Sequence, residues 1–469
     1  MAELMSQRDG QPDIIDYRKF IASKAIVTEM SGIDVEKESL NPMLYDFQKD
    51  IVRWALAKGK AAIFADCGLG KTPMQLEWAK NICEHTGGKV LILAPLAVAS
   101  QTVHEGDKFG ISVNICESQE DVRDGINITN YEKLEKFVAK EFQGIVLDES
   151  SILKSFTGKV RNEIINNFRK TPYKLACTAT PAPNDYMELG NHSEFLGVMT
   201  RSEMLSMFFV HDGGKTSKWR LKGHADHLFW EWLCTWAVYV NSPADIGYHE
   251  EGFDLPELRM HEIIVDGEQA VSEILTLTER RNARRDTLEL RCSKAAELPN
   301  RSDEQWLVWC GLNDESASLT EKIMNAVEVK GSDSNQHKAD SMLGFSDQRV
   351  KVLVTKPSIA GFGMNWQNCH NMIFVSLSDS YEQFYQAVRR CWRFGQEKPV
   401  NVYIVIAAKE GAVRENIERK QKDFLHMKDV MSDYTKEITA KKLKKTTRIS
   451  TPYDAETPII LPNWKEFAS

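Results

Sequence analysis

Short apolar runs alternate with amphipathic stretches along two long parts of the chain. In the first part the runs are KAAIFA (60–65), KVLILAP (89–95), INIT (126–129), GIVLDE (144–149) and YKLACTAT (173–180). In the second part, which begins near Trp306, they are QWLVWCG, KVLVTKP, NMIFVSL and PVNVYIVIA. Continuous apolar runs of this length, separated by helical spacers, are typical of buried parallel strands joined by helices. The pattern predicts an α/β fold with two doubly wound parallel-sheet lobes of similar plan.

The segment between the two series has a different pattern. It holds closely spaced aromatic residues and a basic, glycine-containing stretch, HDGGKTSKWRLKGH, followed by a basic helix, TERRNARRDTLELR. We expect Trp230, Trp232 and Trp236 to lie in a small hydrophobic core of this segment. The predicted division is an N-terminal extension (1–40), a first lobe (41–198), a mainly helical insertion (199–300), a second lobe (301–432) and a C-terminal tail (433–469).

The composition is that of an ordinary globular protein, with 42% hydrophobic and 27% charged residues in a chain of 469. No signal peptide is visible, and no run approaches the roughly 20 apolar residues that cross a bilayer. The nine cysteines lie far apart and form no CxxC pair, which predicts neither disulfides nor a zinc site. We expect a protein of the reducing cytoplasm with no membrane partner. The net charge of −8 argues mildly against a nucleic-acid binder, but phosphate binding depends on local grooves and not on the total.

The strongest single motif is ADCGLGKT, which follows an apolar run and opens an amphipathic stretch. This is the context that a phosphate-binding loop requires. Gly68 and Gly70 allow backbone N–H groups to curl around phosphate oxygens. Lys71 would reach the β- and γ-phosphates of a nucleotide, and the Thr72 hydroxyl would bind Mg²⁺. The loop has alanine where the commonest form of the motif has its first glycine.

Two further strand ends complete a nucleotide-hydrolysing site. An apolar run ends in Asp148 and Glu149, which places the first carboxylate where it can hold Mg²⁺ and the second where it can activate water. A DE pair alone is more often ordinary surface charge, but its combination with the phosphate loop favours catalysis. The hydroxyls of Thr178 and Thr180, at the end of another strand, are placed to contact the carboxylates and sense the γ-phosphate.

The second lobe supplies an arginine-rich segment, QAVRRCWRFGQ, in a predicted helix that begins near Ser380. Gln386, Arg390 and Arg393 fall at i, i+4 and i+7 and so share one helix face. Guanidinium groups presented in this way neutralise charge that develops on a γ-phosphate bound to the other lobe. The apolar residues between the arginines favour a cleft over a basic surface helix.

These motifs resemble the core of superfamily 2 helicases with two RecA-like lobes, and most of all the Swi/Snf-type DNA translocases. ADCGLGKT resembles motif I, LAPLAVASQ (93–101) motif Ia, DESS motif II, TATP motif III, AGFGMNW (360–366) motif V and QAVRRCWRFGQ motif VI, while TNYEKL (129–134) is similar to a further DNA-contacting motif. The match covers about residues 40 to 420. The HDGG…WRLKGH region and its tryptophans look like a compact form of the family found in bacteriophages and bacteria, which places the protein in a bacterial or phage-infected host cytoplasm.

The resemblance implies a DNA-stimulated ATPase that uses ATP and Mg²⁺ and tracks along double-stranded or forked DNA as a monomer. It assigns catalysis to Lys71, Asp148, Glu149, Arg390 and Arg393, and Mg²⁺ binding to Thr72 and Asp148. It assigns ATP contacts to Tyr45, Gln48, Gly68, Leu69, Gly70, Lys71, Thr72, Gly363 and Gln386. It assigns DNA backbone contacts to Pro95, Ser100, Thr129 and Asn130. Basic residues outside the motifs add the DNA-contact candidates Lys218, Arg220, Lys222, Arg281 and Arg284.

Two positions depart from the family pattern. Ser151 stands where the family usually has a histidine, which puts the coupling network at motif II in doubt. Arg389 stands where an acidic or small residue is usual, so it is open which arginine of motif VI faces the phosphate. His224 and His227 have metal-like spacing but no partner ligands, and no metal other than Mg²⁺ is predicted.

Two other functions remain as alternatives to duplex translocation. One is a helicase that unwinds single-stranded DNA or RNA substrates, which base-stacking aromatic residues along a single-strand channel would favour. The other is a DNA-binding regulatory subunit that uses ATP only as a switch. Binding alone needs Lys71 but neither the water-activating Glu149 nor an arginine such as Arg393 from the other lobe, so the motif set favours hydrolysis.

Overall fold

The structure is a computed structural model that describes residues 30–95, 98–155, 157–211, 219–266, 282, 284–360, 364–377, 380–407 and 411–444. Three of the predicted site residues, Lys218, Arg281 and Gly363, lie outside this part of the chain. Within the described ranges no helix is long and apolar enough to span a membrane.

The N-terminal half forms a parallel sheet with helices on both faces. Its strands are β1 (Lys60–Ala65), β2 (Lys89–Ala94), β3 (Val113–Ile115), β4 (Ile126–Asn130), β5 (Phe142–Asp148), β6 (Tyr173–Thr178), β7 (Phe209–His211), β8 (Trp219–Leu221) and β9 (Ala237–Val240). Its helices are α1 (Asp46–Lys58), α2 (Lys71–Thr86), α3 (Ala99–Lys108), α4 (Lys159–Asn167), α5 (Leu189–Leu196), α6 (Arg201–Phe208) and α7 (Asp226–Trp236). The sheet has the order β3-β4-β2-β5-β6-β1-β9 and every pair in it is parallel, whereas β7 and β8 form a separate antiparallel pair.

The C-terminal half repeats this plan with a second parallel sheet. Its strands are β10 (Leu258–Ile264), β11 (Trp306–Trp309), β12 (Ala326–Val329), β13 (Val352–Thr355), β14 (Asn371–Phe374) and β15 (Val400–Ile406). Its helices are α8 (Leu288–Asn300), α9 (Asn313–Lys322), α10 (Asn335–Ser346), α11 (Pro357–Ala360), α12 (Tyr381–Val388) and α13 (Gly411–Lys444). The strand order is β10-β15-β14-β11-β13-β12, again with parallel pairs throughout.

The predicted fold class, two doubly wound parallel-sheet lobes, is confirmed. The central strands β1, β2, β5 and β6 are almost completely buried, since helices cover both faces of the sheet. This explains why their sequences are continuously apolar and do not alternate. All nine runs that predict strands form strands, with differences of a few residues at their ends.

The described parts of the segment 199–300 contribute to both lobes and do not form a separate insertion. Its strand β9 extends the first sheet by pairing with β1, while β10 pairs with β15 at the edge of the second sheet. Trp230, Trp232 and Trp236 of α7 pack into the core of the first lobe and do not build a core of their own. The chain between the lobes is thus divided between them: the apolar, buried β9 belongs to the first sheet, and the half-exposed β10 belongs to the second.

The boundary that was expected at residue 432 falls inside the single 34-residue helix α13. Phe424 on this helix is buried in the core of the second lobe. Met431 and Leu443 are buried in two core clusters of the first lobe. Helix α13 therefore crosses from the second lobe back to the first, and it packs against α7, β9 and α1 there.

Candidate functional site

A cavity of about 370 Å³ lies between the two lobes. From the first lobe it is lined by Tyr45, Gln48, Cys67, Gly68, Gly70, Lys71, Thr72, Asp148 and Glu149, among others. From the second lobe it is lined by Asn365, Gln367, Arg390, Arg393 and Phe394. Cavities of several hundred Å³ are the usual size of small-molecule sites. The structure thus brings the predicted phosphate loop, the carboxylate pair and two of the predicted arginines to one place.

The phosphate loop connects the end of β1 to the start of α2. Gly68 and Gly70 have φ of 91° and 77°, a backbone conformation that side chains with a Cβ rarely adopt. A Cβ on Gly70 would lie 2.3 Å from Nε2 of Gln48, so a side chain there would displace that amide and strain the backbone. The ammonium of Lys71 lies 3.0 Å from the carbonyl oxygen of Ala65, within the curl of the loop. The loop is therefore shaped to surround an anion at the N-terminus of a helix.

The side chain of Gln48 forms a hydrogen bond to the phosphate loop. Its Nε2 donates to the carbonyl oxygen of Leu69 over 3.0 Å, and its Oε1 accepts from the backbone N–H of Tyr45 over 3.0 Å. Leu69 itself is buried and offers that carbonyl, not its side chain. Gln48 lines the cavity as predicted, and its hydrogen bonds tie the start of α1 to the phosphate loop.

The carboxylates lie at the end of β5. Oδ1 of Asp148 accepts a hydrogen bond of 2.7 Å from Nε2 of Gln75, and Oε2 of Glu149 accepts one of 3.2 Å from the Thr178 hydroxyl. Burial raises the pKa of both carboxyls, and Asp148 raises that of Glu149 further, while Lys71 opposes the shift in each. A carboxylate whose proton affinity is raised is a better general base than an exposed one.

A histidine that the motifs did not indicate lies beside this pair. Nε2 of His192, on α5, is 3.1 Å from the hydroxyl oxygen of Ser150, the residue after Glu149. The ring is fully buried, and burial lowers its pKa to about 4, so it is neutral at physiological pH. Sequence position gives no hint of this contact, because 42 residues separate the two side chains. Ser151 stands where the family usually has a histidine, and the neighbouring Ser150 contacts a histidine, His192, from helix α5.

The arginine segment does not form the single helical face that its spacing predicts. Helix α12 ends at Val388, and the following residues form turns. Nε of Arg390 donates to the carbonyl oxygen of Gln386 over 2.9 Å, while the Arg390 backbone N–H bonds one residue later, to Ala387. The Arg390 side chain thus donates to the carbonyl oxygen that the Arg390 backbone N–H would contact in a continuing helix.

Arg390 and Arg393 nevertheless reach the cavity from the turn. Both donate to the carbonyl oxygen of Met364, over 3.2 Å and 3.4 Å. Burial and then repulsion by Arg390 lower the pKa of Arg393 to about 10, which still leaves it charged at neutral pH. Two cations held together in this way favour an anion between them.

Gln386 supports these arginines and does not line the cavity. Its Oε1 accepts from Nη2 of Arg390 over 3.0 Å. A direct contact between Gln386 and the nucleotide stays a prediction. Arg389 points elsewhere, to the carbonyl oxygen of Cys67 and the carboxylate of Asp66 in the phosphate loop.

Aromatic rings form one end of the cavity. Phe253, from the connector between β9 and β10, lies 4.4 Å from Phe394 and 5.4 Å from Tyr45 between ring centroids. All three rings line the cavity. Tyr45 was expected there, whereas Phe253 and Phe394 carry no sequence signal that separates them from core residues. Such rings offer faces and edges for stacking a flat base.

The expected DNA contacts of the first lobe are only partly at the surface. Ser100 is exposed and Pro95 is half-buried. Thr129 is 2% exposed at the end of β4, and Asn130 is buried with its side-chain oxygen accepting from the Glu132 backbone N–H. Because neither side chain faces solvent, these two expectations are corrected to structural roles.

The basic residues that were predicted to contact DNA also differ in their exposure to solvent. Arg220 on β8 is exposed and free to meet a phosphate backbone. Nζ of Lys222 donates to the carbonyl oxygens of Ser206 and Met207 at the end of α6, over 2.9 Å and 3.0 Å. Arg284 is half-buried and donates to the carbonyl oxygen of Leu377. Lys222 and Arg284 therefore contact local backbone in the structure, and their DNA contacts stay predictions.

The residues present fit a magnesium–nucleotide complex. The glycine curl and Lys71 suit the phosphates, and Thr72 and Asp148 supply the two oxygen ligands that Mg²⁺ usually takes from such a protein site. No other cluster of three or more His, Cys, Asp or Glu that suits a metal ion is found in the described ranges.

Comparison with known proteins includes a match to a helicase family model. The family model described as "Helicase conserved C-terminal domain" matches residues 291–395, which run from α8 through the arginine turn. The curated "Bifunctional helicase and thymine dioxygenase JBP2" of Leishmania braziliensis is 28% identical over 143 residues, or 30% of this chain. The chain spans only 12% of that relative's length.

Solved structures with similar folds include two with low sequence identity. The Sulfolobus solfataricus SWI2/SNF2 ATPase core in complex with dsDNA is 19% identical, with 88% of this chain and 98% of that chain covered and a TM-score of 0.41. The HsdR-subunit fragment of a type I restriction enzyme from Vibrio vulnificus is 16% identical, with 82% and 68% covered and a TM-score of 0.52. The second likeness agrees with the two-lobed fold described above.

Proposed function

We propose that the chain is a helicase-type protein of superfamily 2 with two RecA-like lobes, and that it hydrolyses ATP to move along double-stranded DNA. The observation that carries the proposal is the composition of the cavity between the lobes. Lys71, Asp148 and Glu149 line it from the first lobe, and Arg390 and Arg393 line it from the second. A site that only bound ATP as a switch would not need guanidiniums from a second body.

Each group has a role that its position supports. The backbone of the phosphate loop and Lys71 bind the phosphates, and the hydrogen bond from Thr178 orients Glu149 toward the attacking water. Arg390 and Arg393 stabilise charge on the γ-phosphoryl group in the transition state. Magnesium bound at Thr72 and Asp148 would neutralise charge on the β- and γ-phosphates. The rings of Tyr45, Phe253 and Phe394 hold the base.

The division of the site between the two lobes also supports a role in movement along DNA. Because half of the cavity belongs to each lobe, binding and hydrolysis of ATP favour different lobe separations. A change of lobe separation becomes translocation when each lobe holds the DNA backbone in turn. The choice of DNA as the track rests on the likeness of LAPLAVASQ and TNYEKL to DNA-contacting motifs and on the match of residues 291–395 to a helicase domain. Ser100 and Arg220 are the exposed candidates for backbone contacts.

The test is the ATPase rate of the purified protein with duplex, forked and single-stranded DNA and with RNA. We expect duplex DNA to give the largest stimulation. Lys71→Ala, Glu149→Gln and Arg393→Ala should each lower the stimulated rate by about 100-fold or more, as removal of such groups does elsewhere. Arg349→Ala is the matched control, since Arg349 lies exposed on the second lobe and pairs only locally with Asp347.

Two results would contradict the proposal. Full hydrolysis by a variant that carries both Arg390→Ala and Arg393→Ala would remove the second lobe from the chemistry. Stimulation by single-stranded DNA or RNA but not by duplex DNA would exclude duplex translocation and favour the unwinding helicase, which a strand-displacement assay then measures directly.

A further inference from the structure

A buried carboxylate in the phosphate loop is held by three side chains of the C-terminal half. Asp66 accepts hydrogen bonds from the Tyr385 hydroxyl at 2.8 Å and from Nζ of Lys428 at 2.7 Å. Nη2 of Arg389 lies 3.4 Å from the same carboxylate. We call these four residues the Asp66 cluster. Burial alone would raise the pKa of Asp66, but Arg389 and Lys428 hold it well below its usual range, so the carboxylate is charged at every physiological pH.

The Asp66 cluster acts on the backbone that surrounds the phosphates. Oδ1 of Asp66 also accepts from the Cys67 backbone N–H over 2.7 Å, and Arg389 donates to the Cys67 carbonyl oxygen. Gly68 follows directly, and Lys71 lies three residues further. The guanidinium of Arg389 lies over the rings of Tyr385 and Trp392, at 5.9 Å and 5.1 Å from their centroids, which fixes its direction.

The three partners of Asp66 lie on or next to two helices. Helix α12 belongs to the second lobe, and helix α13 crosses between the lobes. Tyr385 is on α12 and Arg389 follows its end, one residue before Arg390. Lys428 is on α13, between Phe424 in the core of the second lobe and Met431 in the core of the first. The position of Lys428 is therefore set by both lobes at once.

We infer that Arg389 and Lys428 are positioning residues that hold the second lobe against the phosphate loop through Asp66, so that Arg390 and Arg393 face the phosphates. This inference rests on the proposed ATPase function. It assigns Arg389 a role different from that of Arg390 and Arg393. Arg389 contacts the phosphate loop, whereas Arg390 and Arg393 line the cavity. It also explains an arginine at a position where the family has an acidic or small residue, because here the acidic partner is Asp66 on the other lobe.

The expected signature is a loss of kcat with little change in KM. Lys71 and the loop bind ATP from the first lobe alone, whereas Arg390 and Arg393 act from the second lobe in the transition state. Lys428→Met removes one of the two cations on Asp66, and Asp66→Asn removes the charge that both contact. We expect each to lower kcat about tenfold or more while KM for ATP stays within about twofold. Lys428→Arg keeps the charge and should retain most of kcat.

Lobe distance is measured separately, by electron paramagnetic resonance between spin labels carried by unnatural amino acids at positions 159 and 349. Lys159 and Arg349 are exposed and belong to different lobes. In the full chain, Lys428→Met should shift or broaden this distance distribution and Lys428→Arg should not. Lys436→Met is the matched control, because Lys436 is on the same helix and pairs with Asp433 of that helix.

The outcomes separate this inference from the proposed function. An unchanged distance and an unchanged kcat in Lys428→Met would overturn the inference while ATP hydrolysis stands. A changed distance in a protein that hydrolyses no ATP would support the cluster as a lobe-positioning device and reject the proposed function. If Lys428→Met lowers the melting temperature greatly, Lys428→Arg and Asp66→Asn decide the question in its place.

Discussion

Protonation of His192 gives a stability prediction whose size follows from the structure. The ring is completely buried between Ser150 and the edge-on ring of Phe64, and its pKa is lowered from 6.5 to about 4 by burial. Between these two values the unfolded chain binds a proton that the folded protein does not. The free energy of unfolding therefore falls as the pH falls through this window. For one group with these two pKa values the loss at pH 5, relative to pH 8, is about 2 kcal/mol.

The perturbation that isolates this effect is His192→Gln, which cannot titrate but keeps a polar atom near Ser150. The variant should be less stable than the natural protein at pH 8, because a buried hydrogen bond and a packed ring are altered. Its deficit should shrink by about 2 kcal/mol at pH 5, since only the natural protein loses stability through His192. The measurement is urea unfolding followed by tryptophan fluorescence at pH 5, 6, 7 and 8 at constant ionic strength.

Comparing the two proteins removes the contributions that they share. Burial raises the pKa of Glu188 to about 7, and that shift stabilises the folded protein as the pH falls, with the opposite sign. Glu188 is present in both proteins, so it cancels in the difference to first order. A stability difference that stays constant from pH 8 to pH 5 would refute the reasoning, because it would mean that His192 titrates in the folded protein as it does in the unfolded chain.

Two further substitutions test the shape of the nucleotide site and the core of the second lobe. Gly70→Ala should weaken ATP binding by about tenfold or more in an equilibrium titration, because φ of 77° and the 2.3 Å approach to Gln48 both oppose a Cβ. Gly331→Ala, where nothing lies within 4 Å of the added atom, should leave binding unchanged. Glu315→Gln should lower the free energy of unfolding by about 3 kcal/mol, because Glu315 pairs at 2.7 Å with Arg291 and both are completely buried. Glu289→Gln, in an exposed pair with Lys322, should produce no measurable change in the same unfolding experiment.

The sequence predicted those parts of the fold that depend on local pattern. The runs at β1, β2, β5 and β6 are buried on both faces, so their apolar character is continuous and readable. Strand β10 is half-exposed at a sheet edge and β12 is half-buried at the other edge, and neither has a continuous apolar pattern. Strand β9 is apolar but directly follows the tryptophan-rich helix α7, so the sequence pattern did not separate it from that helix. Edge strands are thus where the prediction failed.

The same division holds for the candidate site. The phosphate loop and the DE pair are contiguous in sequence, and the structure places them as their spacing predicts. The partners of Asp66 lie more than 300 residues away, so no local pattern reveals them. Thr129 illustrates the opposite failure, since a motif match named it but the strand end buries it. Contacts between residues that are distant in sequence can be identified only from the folded structure, however clear the motif is.

The chain passes between the lobes twice, through the connector 241–257 and through α13. A single connection leaves two bodies free to rotate about any axis, but two separated connections leave only the line that joins them. Two connections therefore restrict the relative rotation of the lobes more than one connection would. In the motor proposed above, this restriction would limit rotations of the lobes that do not contribute to movement along DNA.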